Sequence, residues 1–137
     1  MIIELIAGIL LAVPFVAYAR RQGPRVETRI YALGLIGAAV IYAGFALVGT
    51  AEPRWMAIEF AGLLPFAGLT WLGLRHSTWW LAAGWVAHAA WDTGLHLVTG
   101  TPPFVPSWYP VVCIGFDGFV AGAITLQAWR ALAAETA

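Results

Sequence analysis

Residues 30–49 read IYALGLIGAAVIYAGFALVG, a run of 20 positions without a charged side chain. An α-helix needs about 20 apolar residues to cross a hydrocarbon layer about 30 Å thick. A membrane barrel strand would instead be about ten residues of strict alternation, and this run is continuously apolar. Similar runs flank it, at residues 2–19 before it and at residues 55–74, 78–98 and 109–131 after it. Breakers separate them: Arg20-Arg21-Gln22-Gly23-Pro24-Arg25, then Thr50-Ala51-Glu52-Pro53-Arg54, then Arg75-His76-Ser77, then residues 99–107 with Pro102, Pro103 and Pro106. Proline and glycine stop helices there. The sequence therefore predicts an all-α fold, a polytopic transmembrane bundle of five helices forming one domain over residues 1–137.

Composition supports a bilayer as the main partner. The chain is 61% hydrophobic and 10% charged, too few charges to cover the apolar surface of so short a soluble domain. A net charge of zero argues against nucleic-acid binding, which needs a basic face. The single cysteine, Cys113, excludes an internal disulfide framework. The cations are all arginine, and their placement sets the expected orientation. Arg20, Arg21, Arg25, Arg29, Arg75 and Arg130 fall on one side and only Arg54 on the other. This predicts an N-terminus outside, a cytoplasmic C-terminus and a multi-pass protein of the bacterial inner membrane. The first run has no preceding cation and is followed by Arg20-Arg21, the charge order of an uncleaved anchor.

Ionisable groups inside a bilayer are costly unless paired or solvated, so they are the first candidates for function. They are Glu4, Glu59, His88, Asp92, His96 and Asp117. At 1.5 Å rise per residue, His96 and Glu4 lie about 4 Å below the outer helix ends and Glu59 about 6 Å. Asp92 lies about 10 Å deep, Tyr42 about 11 Å, Asp117 about 12 Å and His88 about 15 Å. The inner half offers only Thr70, Thr125 and Gln127.

His88, Asp92 and His96 recur every four residues, so they share one helical stripe. Together with Asp117 they form a candidate metal set, zinc being the expected divalent ion. Tyr109, Cys113 and Asp117 make a facing ladder at the same spacing, and bundle metal sites are built from such facing ladders. The metal-free alternative makes Asp92, Asp117 and Glu59 an acid–base set. A hydrogen-bonded pair that only locks helix packing is the third reading. Trp91, Tyr42, Phe60, Phe116 and Tyr109 lie at comparable depth and form a candidate aromatic wall for an apolar ligand or a developing cation. Gly118 and Gly122 form a GxxxG pattern that permits close helix contact, within the chain or in a homodimer.

The stretch His88-Ala89-Ala90-Trp91-Asp92 with His96, and the stretch Trp108-Tyr109-Pro110 followed by Cys113 and Phe116-Asp117, resemble a family of small, uncharacterised bacterial integral membrane proteins. The resemblance covers mainly the last two runs and implies a membrane protein without implying an activity. The residues themselves point to a membrane-embedded enzyme acting on a lipophilic small molecule, of hydrolase, isomerase or cyclase type. Transport of an ion, a metal or a proton, and a non-catalytic binding or scaffold role, are the alternatives. Transport needs polar groups through the whole bilayer, and the bare inner half argues against it.

Overall fold

The computed structural model describes residues 1–100 and 102–135. Thr101, which the sequence places in the loop after the fourth run, lies outside the described residues. Among the described residues the chain forms five helices and no strand. They are α1 (Ile2–Arg21), α2 (Pro24–Val48), α3 (Pro53–Arg75), α4 (Thr78–Trp91) and α5 (Tyr109–Glu135). α4 continues without a break into a π-helical stretch, Asp92–Val98.

Local sequence sets the boundaries. Pro24 and Pro53 open α2 and α3, where the missing N–H costs nothing and the fixed φ is already helical. Gly23, at φ 83°, makes the tight turn between α1 and α2. The Ser77 hydroxyl accepts from the Trp79 backbone N–H at 3.4 Å and caps α4. α2 thus begins six residues before the apolar run read from sequence, which brings Glu27 inside the helix.

Four helices, Ile2–Arg21, Pro24–Val48, Pro53–Arg75 and Tyr109–Ala134, are long and apolar enough to cross a membrane. The expected fourth crossing differs in kind. It is 14 residues of α-helix extended by 7 residues of π-helix, which together cover the predicted run 78–98.

α5 lies between α1 and α4, and α3 lies between α2 and α4. α1 and α5 approach most closely at two glycines. A side chain at Gly8 would strike the Val112 carbonyl, and one at Gly115 would strike the Leu5 carbonyl. The GxxxG glycines do not make this contact, contrary to one of the two expectations for them. Gly118 and Gly122 face open space and, with Val16, Arg20 and Leu126, line a surface groove of about 420 Å³ along α1 and α5.

The apolar core occupies the half of the bundle near the α1–α2 and α3–α4 turns. Leu35, Phe66, Leu81, Trp85, Val120 and Ile124 form its centre. Large apolar side chains cover the outside of the bundle, among them Ile3, Leu10, Leu33, Leu64 and Trp129, a surface that suits lipid. The polar cluster sits above the core, toward the loops after α2 and after the π-helical stretch.

Candidate functional site

α4 presents His88 and, at its junction with the π-helical stretch, Asp92. α5 presents Asp117. All three are buried, Asp92 completely. His88 Nδ1 lies 2.8 Å from Asp117 Oδ2 and 3.7 Å from Asp92 Oδ2. One ring nitrogen therefore faces both carboxyl groups. With Asp117 ionised, Nδ1–H donates to it. Each residue contributes a ligand-type atom within 4.8 Å of the other two.

The donor set fits a divalent cation. Metal–ligand distances of about 2.0–2.2 Å place ligand atoms within about 4.4 Å of each other, close to the spread seen here. Two buried carboxylates and an imidazole also supply the charge that such an ion would neutralise. The set does not single out zinc, since one nitrogen and two oxygen donors equally suit manganese or ferrous iron.

His96 does not belong to this group. Its Nε2 lies 3.4 Å from Glu59 Oε1, across the bundle on α3. The cause is the π-helical stretch: its wider i→i+5 turns change the direction in which residue 96 leaves the axis. The His88-Asp92-His96 stripe predicted from α-helical spacing is broken after Asp92. Glu59, placed in the acid–base set by sequence, forms a second buried pair with His96.

Tyr42 on α2 stands between the two pairs. Its ring stacks on His96 at 4.3 Å and 7° and lies 5.9 Å from His88, with its hydroxyl near Asp92 and Cys113. Trp55 covers the other side of His96 at 6.5 Å and meets Phe104 of the loop before α5. Sequence assigns Trp55 only as an interfacial anchor; here it also roofs the site.

The remaining aromatic candidates separate. Tyr109 packs edge-on against Tyr42 at 5.5 Å. Phe116 packs on Phe15 and Trp85. Both line a cavity of about 330 Å³ between α1, α2 and α5 that reaches Asp117. Trp91 lies on the α3 side, against Phe66 and over Gly62, where an added Cβ would come within 2.8 Å of its ring. Phe60 is 43% exposed and belongs to the outer surface. The single aromatic wall expected from depth is thus divided, because equal depth does not fix the side of the bundle a residue faces.

Several buried polar atoms of the cluster make no hydrogen bond among the described residues: His88 Nε2, the Tyr42 hydroxyl and both Asp92 oxygens, Oδ2 lying 3.7 Å from His88 Nδ1. A second polar group at the opposite end of the bundle differs in this respect. Glu27, 4% exposed, accepts from the Tyr31 hydroxyl and from Gln127 Nε2, each at 2.9 Å, and Arg20 Nε lies 4.0 Å away. The sequence alone does not reveal this network, because the apolar run starts at Ile30 and leaves Glu27 in the preceding loop. Its Glu-xxx-Tyr spacing, one helical turn, was the available signal.

A family model matches residues 3–130, and the chain belongs to that family, a family of unknown function, DUF6010. No curated protein and no solved structure matches it.

Proposed function

We propose that this protein is a membrane-embedded enzyme that acts on a lipophilic small molecule, with His88, Asp92 and Asp117 as its reaction centre. In this reading the π-helical segment completes a fifth crossing, the N-terminus lies outside, and the centre sits in the outer half of the bilayer. The observation that carries the proposal is the contrast between the two buried polar groups. In the Glu27 network both carboxylate oxygens are satisfied, as expected where polar side chains fasten helices. At the His88 cluster neither Asp92 oxygen makes a hydrogen bond, Oδ2 reaching His88 Nδ1 only at 3.7 Å, and His88 Nε2 makes none either. Such groups are expensive in a core and are retained where a ligand, an ion or a proton is handled.

Two modes of chemistry share this geometry. A divalent ion on His88 Nδ1, Asp92 and Asp117 would polarise an oxygen of the substrate or activate water. Without an ion, Asp117 or Asp92 donates a proton to a double bond or epoxide. A carboxylate, Glu59 beside His96 being one, then takes a proton from a neighbouring carbon, so an isomer or ring forms with no net gain or loss of protons. Transport is disfavoured. The packed core around Leu35, Phe66, Trp85 and Val120 separates the His88 cluster from the Glu27 network.

The test incubates the purified protein, in detergent, with a lipid extract of the membranes that express it and compares products by untargeted mass spectrometry. The expected result is a lipophilic species consumed by the wild type and spared by Asp92→Asn and Asp117→Asn. Identical profiles for all three proteins would overturn the enzyme reading. Repeating the incubation with a chelator separates the modes: loss of conversion assigns the metal-assisted one, and unchanged conversion the acid–base one.

A further inference from the structure

The cavity between α1, α2 and α5 has a composition that the reaction centre alone does not explain. Its walls are Leu11 and Phe15 from α1, Gly34, Gly37 and Ile41 from α2, and Trp85 from α4. At its α5 side lie Tyr109, Cys113 and Asp117. The wall is apolar along most of its length and polar at one end. About 330 Å³ falls at the small end of ligand pockets, which run about 300–1,000 Å³.

Its mouth opens on the side of the bundle. Leu11 is 58% exposed and Ile41 is 42% exposed; Leu11 lies at the middle of α1 and Ile41 seven residues, about 10 Å, inside the end of α2. In a bilayer that level is hydrocarbon, so whatever enters sideways there is an apolar chain. The slot exists because α2 presents glycines. A Cβ at Gly37 would meet nothing within 4 Å, whereas one at Gly34 would come within 2.9 Å of the Phe15 ring and 3.1 Å of Trp85.

We propose that this cavity binds a long-chain alcohol, an isoprenoid or alkyl chain ending in a hydroxyl, that enters from the bilayer and lays its hydroxyl against Asp117. The proposal rests on the enzyme reading above and names its substrate class. Charge complementarity selects the polar end. Among the described residues the cavity lining carries no arginine or histidine, and His88 beyond it is already held by Asp117 at 2.8 Å, so a carboxylate or phosphate end would meet a carboxyl group with no free cation to pair with. A hydroxyl instead donates to Asp117 and accepts from neighbouring donors. Volume excludes a large headgroup, since Tyr109 and Cys113 already stand beside Asp117 at that end.

Photo-crosslinking tests this in nanodiscs. The probe is hexadecanol carrying a diazirine on its chain, compared with the matching hexadecanoic acid. The alcohol should label the segments around Leu11 on α1 and Val112 on α5, and unlabelled hexadecanol should compete. Gly37→Leu fills the slot and should remove that labelling; Ile41→Trp closes the mouth from the next turn and should do the same. The acid probe should label the cavity no more than it labels Gly37→Leu. Two results overturn the proposal: labelling spread evenly over exposed faces, such as Leu64 on α3, and insensitive to both variants, which indicates surrounding lipid only; or acid labelling as strong as alcohol labelling. The two readings fail separately. Cavity labelling with no Asp92-dependent conversion of lipid removes the enzyme reading alone, and conversion without cavity labelling removes this one alone.

Discussion

His88 Nδ1 and Asp117 Oδ2 lie 2.8 Å apart and join α4 to α5, with both side chains buried. Losing one member of such a pair strands the other in low dielectric. His88→Leu should therefore lower stability by about 3–5 kcal/mol, while the double change His88→Leu/Asp117→Leu should recover most of that loss. Thermal unfolding in detergent reads both. A double variant as unstable as the single one would show that the pair does not behave as a coupled unit.

His88, Asp92 and Asp117 are spaced so that they could hold one ion. Titrated with zinc or manganese, the wild type should bind a single ion, and Asp92→Asn or Asp117→Asn should abolish binding, since too few ligands remain. His96→Ala should leave it intact, because His96 faces Glu59 at 3.4 Å. Calorimetry or metal analysis after gel filtration decides. Ion loss in His96→Ala would restore the four-residue ligand set expected from sequence spacing.

Packing of α1 on α5 gives a third prediction. Gly115→Leu must push against the Leu5 backbone, whereas Gly118→Leu enters open space. The first should cost about 1–3 kcal/mol or more through overpacking, and the second almost nothing within one chain. Equal unfolding midpoints for the two variants would contradict the contact.

Orientation rests on the arginines of the α1–α2 turn. Reporter fusions after Thr50 and after Ser107 should report the outer compartment, and a fusion after Ser77 the cytoplasm. The opposite pattern would turn the His88 cluster to the inner face without altering its geometry.

The helices were legible because run length and breakers act locally. Arg20 to Pro24 and Glu52-Pro53 mark turns in any context. The convergence of His88, Asp92 and Asp117 was also legible, from depth on helices joined by one loop. What depth does not carry is azimuth. The π-helical turn that swings His96 toward Glu59 depends on tertiary packing, and so does the division of Tyr42, Trp91, Phe60 and Phe116 among different faces. Close approach at Gly8 and Gly115, rather than at the GxxxG glycines, depends on how α1 and α5 cross, which no single-helix pattern specifies. Glu27 was missed for a simpler reason: Pro24 starts α2 earlier than hydropathy does.

Under the proposed function, the His88 cluster is kept for chemistry and the Glu27 network for structure. Unfolding midpoints of Asp92→Asn and Glu27→Gln, measured side by side in chelator-treated protein, test it most directly. Asp92 makes no hydrogen bond among the described residues and meets His88 Nδ1 only at 3.7 Å, while the closer partner of that nitrogen is Asp117; relieving the buried charge should therefore leave stability unchanged or raise it, as at sites where function is kept at a cost in stability. Glu27→Gln turns one acceptor of a satisfied network into a donor facing the Gln127 amide and should cost about 1–3 kcal/mol. A loss in Asp92→Asn as large as that in Glu27→Gln would contradict the account and make the His88 cluster a structural clasp.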